Sequence, residues 1–313
     1  MSNLPEVTIP AVSSYAHIFE RAKAKTANKP VRAALVGPND PDMLVAFVRA
    51  AGDHLIEPTI IGDRKAFEHG LAEHKFHLTP AQMIDLPDTE AAVQRAIQMA
   101  ANKEIDLIIK GRIVTADMLS LLFHHGSQFL KGDNTVSHVA VMKPQKYPKL
   151  LLITDAGVTI EPDLKAKMSL IQNLLGVAKA VGVDNPRLAI LAAVEVVYPT
   201  MPVTMEAAIL SKMAERGQIK GAFIDGPLSF DVAVDMFAAH SKGVKTSQVA
   251  GQADAMLAPN LETANGIYKA MTLFGRCDMG GVIVGGRVPV AVASRSDSPQ
   301  GKYNSILLGV LTA

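Results

Sequence analysis

Within four residues, Ser294, Arg295, Ser296 and Asp297 bring together hydroxyls, a fixed cation and a carboxylate. The run before them, VPVAVA at 288–293, is apolar and reads as a buried strand. Open α/β sheets bind ligands outside the carboxyl ends of their strands, so this tetrapeptide stands where chemistry on an anionic substrate would occur. Ser298 and Pro299 then make a good helix start, and the same residues read equally well as a solvated turn leading into a last helix. Other strand ends carry similar signals: IIKGR (108–112), LITDAG (152–157), FIDGP (223–227) and LAPN (257–260). Glycine admits a ligand close to the backbone, and a helix start offers unpaired N–H groups to an anion. On this ground Asp225 and Gly226 are candidate substrate contacts. Lys110, Arg112 and Arg295 supply cations suited to a phosphate-bearing substrate, while Thr115 and Ser137 can donate to it without adding charge.

Other reactive residue types fit structural roles. His69, His74 and His77 with Glu68 and Glu73 match no zinc spacing and read as a solvated helix face, so no metal site is expected. His124 and His125 adjoin a helix end, where imidazole meets exposed carbonyls. Cys277 has no paired histidine, and no acyl-enzyme is expected. Asp231 and Asp235 are read on one amphipathic helix after FIDGP, one as a cap and the other as surface charge.

The elements that must position these groups alternate short β-branched runs with longer helical patterns, the mark of parallel sheets covered by helices. Strands are expected at 31–36, 59–61, 106–110, 188–193, 222–225, 255–258, 281–284 and 288–293. Asp40 before Pro41 reads as a helix cap with Gly52 as that helix's stop, and Asp88 opens a helix ending near Asn102. SHVAVM (137–142) and LLLITD (150–155) are separated by KPQKYPK, too short for a helical crossover, which predicts an antiparallel hairpin where the chain passes between domains.

At 313 residues the chain exceeds one ordinary core, so two domains are expected. Thirty-one basic against 30 acidic residues leave a formal charge of +1, which argues against nucleic acid and for a small ligand held by local cations. No apolar run approaches a membrane span, and MSNLPEVTIP lacks the features of a signal peptide. A single cysteine agrees with a reducing compartment, and a cytoplasmic enzyme is expected.

Several ordered blocks carry a resemblance: KGRIVTADML (110–119), SHVAVM, LITDAGVTIEPDL (152–164), AILAAVEVVYP (189–199), IDGPLSFDVAVD (224–235), GQADAMLAPNLETANGIYK (251–269) and VPVAVASRSDS. The chain resembles the phosphate acetyltransferases and phosphate butyryltransferases, close to the transferase portion of bifunctional enoyl-CoA hydratase/phosphate acetyltransferases. The resemblance implies an α/β fold of two three-layer αβα domains, isocitrate/isopropylmalate dehydrogenase-like, with an interdomain cleft and a homodimer. It implies a discontinuous first domain, 1–142 and 288–313, and a second at 143–287. The implied reaction is reversible transfer of a short acyl group between coenzyme A and inorganic phosphate, with coenzyme A a substrate and no tightly bound cofactor.

In that reading Ser294, Arg295 and Asp297 are catalytic. Arg295 holds the phosphoryl group, Ser294 donates to it or to the developing oxyanion, and Asp297 helps remove the thiol proton. The chain departs from the pattern twice. Long-recognised phosphate acetyltransferases carry the matching aspartate further on, where this chain has Gly301, whereas butyryl-type members resemble this sequence in having it early. Relatives often carry arginines before SHVAVM, where only Lys131 stands here, leaving Arg112, Arg276 or Arg287 to supply the charge; Arg287, which precedes the last strand, is expected at the far side of the sheet. Two other functions stay open: a metal-dependent NAD(P) oxidoreductase of the same fold class, although no G-x-G-x-x-G fingerprint is present, and a non-catalytic acyl-CoA or acyl phosphate binding protein.

Overall fold

The computed structural model describes residues 11–130 and 134–313, apart from the side chain of Ser127. Lys131 and the segment MSNLPEVTIP lie outside the described residues. The chain forms two compact units, one of Tyr15–Val136 with Met279–Ala313 and the other centred on Ser137–Asp278.

The first unit opens with α1 (Tyr15–Thr26), β1 (Val31–Val36), α2 (Pro41–Gly52), β2 (Ile56–Gly62), α3 (Arg64–Glu73), β3 (Gln82–Asp85), α4 (Thr89–Ala101), β4 (Leu107–Lys110), α5 (Thr115–His124) and the single turn α6 (Gly126–Phe129). Strand β1 is apolar almost throughout because helices cover both faces of a parallel sheet. Asp40, Asp63 and Asp88 cap α2, α3 and α4 by accepting from the backbone N–H three residues on, each worth about 1 kcal/mol. Helix α2 buries Met43, Leu44, Ala46, Phe47 and Ala50, an inward stripe at helical spacing. Gly52 is the last residue of α2 rather than its left-handed stop; Asp53 is the C-cap and His54 takes the positive φ, 59°.

The second unit contains β5 (Ser137–Lys143), β6 (Leu151–Thr154), α7 (Leu164–Val181), β7 (Arg187–Leu191), α8 (Pro202–Glu215), β8 (Phe223–Leu228), α9 (Phe230–Val234), α10 (Met236–Ser241), β9 (Ala255–Leu257) and α11 (Leu261–Leu273). Strands β5 and β6 pair antiparallel as the short loop requires, and β6, β9, β7 and β8 follow as parallel neighbours. Asp231 and Asp235 do not share one helix: two short helices replace it, and Asp235 caps the second by accepting from Phe237 and Ala238 N–H. Lys149 is buried against Asp254, and Asp254 also accepts from Arg187 N–H, so neither charge is left unpaired.

The chain then completes the first unit with β10 (Asp278–Val284), β11 (Val290–Val292) and α12 (Pro299–Thr312). Its strands run in the order β3, β2, β1, β4, β11, β10, all parallel except the β10/β11 pair. The last strand is half the expected length, since pairing begins only at Val290. Helix α12 lies on α1, α2, β4 and β11 and is buried from Gly301 to Leu311, including Lys302, Asn304 and Ser305. Gly309 lets it approach the sheet: a Cβ there would stand 2.6 Å from Leu107 Cδ1 and 3.3 Å from Ala291 Cβ.

Gly309→Val should therefore lower unfolding free energy by about 1–3 kcal/mol through overpacking. The gain from replacing a mid-helix glycine, at most about 1 kcal/mol, is smaller. Urea denaturation with an unchanged slope measures this, and a stabilised variant would contradict such close seating of α12.

Candidate active site

Strands β1, β4 and β11 are parallel neighbours, so the segments leaving their carboxyl ends emerge together at one edge of the first unit's sheet. After β1 comes the turn to Asp40, after β4 the residues Lys110 to Thr115, and after β11 the segment Ser294 to Asp297. Gly111 is required here: its N–H donates to Val36 O, and a Cβ would lie 1.9 Å from Gly37 O. Lys110 is buried, with Nζ donating to Gly111 O at 3.3 Å and Ile113 O at 3.1 Å. Burial lowers its pKa, with Lys302 and Arg295 pushing the same way and Asp40 and Asp297 opposing. Arg112 and Thr115 are exposed, and Val114 precedes α5 without a side-chain cap.

The Ser294 to Asp297 segment is a tight turn. Asp297 N–H donates to Ser294 O at 3.1 Å, and Asp297 Oδ2 accepts from Ser294 N–H at 2.7 Å. The Asp297 carboxylate is buried, the Ser294 hydroxyl pairs with that of Ser296 at 3.1 Å, and Arg295 is exposed with no ion pair among the described residues. Ser298 caps α12 by accepting from Gly301 N–H, as its sequence signal implies. One turn on, buried Lys302 donates to both Asp40 oxygens at 2.8 and 3.0 Å and reaches Asp42 at 3.5 Å. Arg287 stands at the other end of β11, its Nε donating to Gln128 O.

The remaining candidates belong to the second unit. Ser137 is fully buried at the start of β5 and accepts from Asn173 Nδ2 at 2.9 Å. Asp225 and Gly226 are not at a strand end, because β8 runs on to Leu228. They line an open pocket of ≈ 580 Å³ with Ser211, Lys212, Ser247 and Gln248, and Asp225 Oδ1 accepts from Gly226 N–H. Arg276 is exposed, three residues beyond the C-terminal end of α11, whose other end is tied to the loop after β6 by Leu261 N–H donating to Ile160 O.

The family described as phosphate acetyl/butaryl transferase matches residues 89–310. The chain belongs to the phosphate acetyl/butyryl transferase family. It is 36% identical over 302 residues to a phosphate butyryltransferase of Clostridium acetobutylicum, covering 96% of this chain and 99% of that one. It is also 36% identical over 295 residues to a phosphate acetyltransferase of Thermotoga maritima, covering 94% and 99%. Among solved structures, a branched-chain phosphotransacylase from Enterococcus faecalis matches at a TM-score of 0.75 and 26% identity, covering 90% of this chain and 98% of that one. The chain is thus an acyltransferase of the phosphotransacylase kind, and the oxidoreductase reading is not favoured.

Two sets of polar residues in this phosphotransacylase lie outside the sequence-based expectations. Asp40 reads in sequence only as a cap, and Lys302 as one lysine in an apolar helix; that a long apolar pattern must bury it is the available signal. At the ends of β7 and β8, the Ser229 hydroxyl bonds Glu195 and Asp231, and Lys242 Nζ reaches all three. Burial raises the Glu195 pKa, but the Ser229 hydroxyl and Lys242 outweigh it and hold that carboxyl below its usual range. Cys277 has its thiol pushed up by burial and by Asp278, the opposite of an activated nucleophile.

Lys302→Met should cost about 3 kcal/mol or more, because it leaves the Asp40 carboxylate without its buried cation. Asp42→Asn, at a half-exposed partner, should cost under about 1 kcal/mol. Chemical denaturation of the two variants checks the contrast, and equal losses would contradict it.

Proposed function

We propose that this phosphotransacylase moves a short acyl group, acetyl to butyryl, reversibly between coenzyme A and inorganic phosphate by direct attack in a ternary complex. A phosphate oxygen attacks the acyl carbon, the carbonyl electron pair moves to oxygen, and collapse breaks the carbon–sulfur bond to release coenzyme A. The carrying observation is the pairing pattern at the β4/β11 edge. Lys302 is matched by Asp40, whereas Lys110 meets only carbonyl oxygens and Arg295 meets no carboxylate among the described residues. Two cations thus face a phosphate dianion there, and the planar guanidinium suits a bidentate contact. Arg112 and Thr115 extend this donor set. Ser294 donates to phosphate or to the developing oxyanion.

Asp297 is the carboxylate that takes the thiol proton when coenzyme A attacks acyl phosphate. Its Oδ2 is engaged by Ser294 N–H, and Oδ1 carries no protein hydrogen bond among the described residues. The position of Gly301 supports this role: a Cβ there would stand 3.5 Å from Asp297 Cβ. A carboxylate at 297 and one at 301 would start from neighbouring positions, which supports the early aspartate as the counterpart of the later one.

Coenzyme A enters as substrate rather than as a resident cofactor, and neither nucleic acid nor membrane is a partner. The near-neutral charge supports the reading against nucleic acid. The working form is a cytoplasmic homodimer. The single cysteine agrees with a reducing compartment, and Met205 and Ile209, 41% and 42% exposed one turn apart on α8, offer apolar surface to a second copy.

Thiol release from acetyl-, propionyl- and butyryl-CoA, with and without phosphate, tests the reading, and release that ignores phosphate would overturn it. Arg295→Ala should weaken apparent phosphate affinity together with turnover, and Ser294→Ala should lower turnover by about 10²- to 10³-fold if its hydroxyl serves the oxyanion. Near-wild-type rates for both would remove this edge from the chemistry.

Asp297→Asn should slow the acyl phosphate to coenzyme A direction and steepen its pH dependence. Adding Gly301→Asp to that variant should recover part of the loss. No recovery, with the fold intact, would separate the two positions functionally.

A further inference from the structure

Strand β8 is the last of its sheet and pairs, among the described residues, with β7 alone. Its other edge borders the open pocket of ≈ 580 Å³, a volume ordinary for ligand sites. Successive residues of an extended strand turn their backbone groups to opposite edges. Phe223 turns to β7, since its N–H donates to Pro186 O at 3.0 Å and it sits opposite Arg187. Ile224 therefore turns its N–H and C=O outward. Gly226 obeys the same alternation: Asp225 Oδ1 accepts from its N–H at 2.8 Å and its carbonyl accepts from the Ser211 hydroxyl at 3.1 Å, neither group belonging to β7. Pro227 has no N–H to offer. The edge is thus closed from Gly226 onward and open at Ile224, whose outward groups meet no protein partner among the described residues.

The charge along this edge is one-sided. Lys212, Glu215 and Asp225 are the charged residues that line the pocket. Lys212 Nζ holds both Glu215 oxygens at 2.7 Å, so those two charges cancel. Asp225 keeps Oδ2 without a protein partner among the described residues, and its Oδ1 bond to Gly226 N–H places the carboxylate at the edge. Arg187, opposite Phe223 on β7, is committed elsewhere: Nε donates to Gln248 O at 3.0 Å, and the guanidinium reaches Asp254 at 3.9 Å. One backbone donor, one backbone acceptor and one uncompensated carboxylate remain. That set disfavours phosphate and coenzyme A. A second copy of β8 pairing at Ile224 would set two Asp225 carboxylates diagonally across from each other, which counts against self-association at this edge.

We propose that the open edge of β8 is a docking site for an extended peptide segment that bears a lysine or arginine. One peptide residue exchanges both backbone hydrogen bonds with Ile224, and the basic side chain beside it reaches Asp225 Oδ2. The added strand stops there, because the backbone groups of Gly226 are taken and Pro227 has no donor. Such an addition uses the short free stretch that the edge retains, where an unblunted strand would invite pairing along its whole length. The site is independent of the phosphotransacylase reading.

Three capped tripeptides test it: valine-lysine-valine, its analogue with norleucine in place of lysine, and the lysine peptide methylated at both valine nitrogens. Isothermal titration should give a Kd of about 1 mM or tighter for the first, and binding weaker by about tenfold or more for the other two. In nitrogen-15 NMR the Ile224 amide should shift as the lysine peptide is added. Asp225→Asn keeps an oxygen for Gly226 N–H while removing the charge. It should bring the lysine peptide down to the affinity of the norleucine peptide and leave the norleucine peptide unchanged, which also reports an intact pocket. A weaker Kd for the lysine peptide, equal binding of the three, an unmoved Ile224 amide, or a variant that discriminates as wild type does overturns the proposal. An Ile224 amide that shifts on dilution of the protein alone assigns the edge to a second copy, and butylamine binding as tightly as the lysine peptide assigns the pocket to a simple amine. Either result overturns it as well.

Discussion

A lysine inside the last helix governs how the first unit is put together. Lys302 lies in the core with 2% of its side chain exposed, and a cation taken that far out of water must find its counterion at short range. It finds Asp40, whose carboxylate already caps α2 through Met43 N–H. One acidic side chain therefore closes the start of α2 and anchors the first turn of α12. The strands that feed those two helices, β1 and β11, are held to a common level with β4 between them. Breaking the pair would strand a charge, so the arrangement tolerates little slack. That rigidity fixes the turn that carries the Ser294 hydroxyl, the Arg295 guanidinium and the Asp297 carboxylate.

How much of each segment is legible in the sequence depends on its physics. Strand β1 is readable to the residue because VRAALV is apolar under helices on both faces and is followed by the Asp40–Pro41 start of α2. Strand β3, with the sequence QMID, leaves no apolar signature because an edge strand of four residues buries too little. Strand β8 reads as ending at Asp225, since Gly226 and Pro227 look like a stop, yet at the sheet edge they continue the strand. Among the candidate site residues, Ser294, Arg295 and Asp297 declare themselves by chemical type. Lys302 cannot be paired by inspection, because its partner is 262 residues away and helical spacing says nothing about so distant a contact.

The second unit solves a related problem with different means. Loops after β6, β7 and β8 carry acidic groups, and each is answered locally: Asp155 by backbone N–H groups, Glu195 and Asp231 by a serine and a lysine. The Asp155 cluster is closed within its own loop apart from His138 N–H, whereas the Glu195 cluster joins the segments after β7 and β8. The second unit also uses a long-range pair, Lys149 with Asp254, where distant segments must be joined, and hydrogen-bonded clusters where neighbouring loops must keep their shape.

The order in which the chain is made gives this division a further meaning. Residues 15–136 contain β4, one side of which is covered only when β11 arrives, and α2, whose capping carboxylate waits for Lys302. Residues 137–278 are synthesised in between and carry their own sheet and its covering helices. During translation the middle unit can close first, while the earlier segment still lacks β11 beside β4 and α12 against α1 and α2. Until residues 279–313 leave the ribosome, that edge of β4 is exposed to neighbouring chains. The turn at Ser294 therefore forms only when the open edge of β4 is covered.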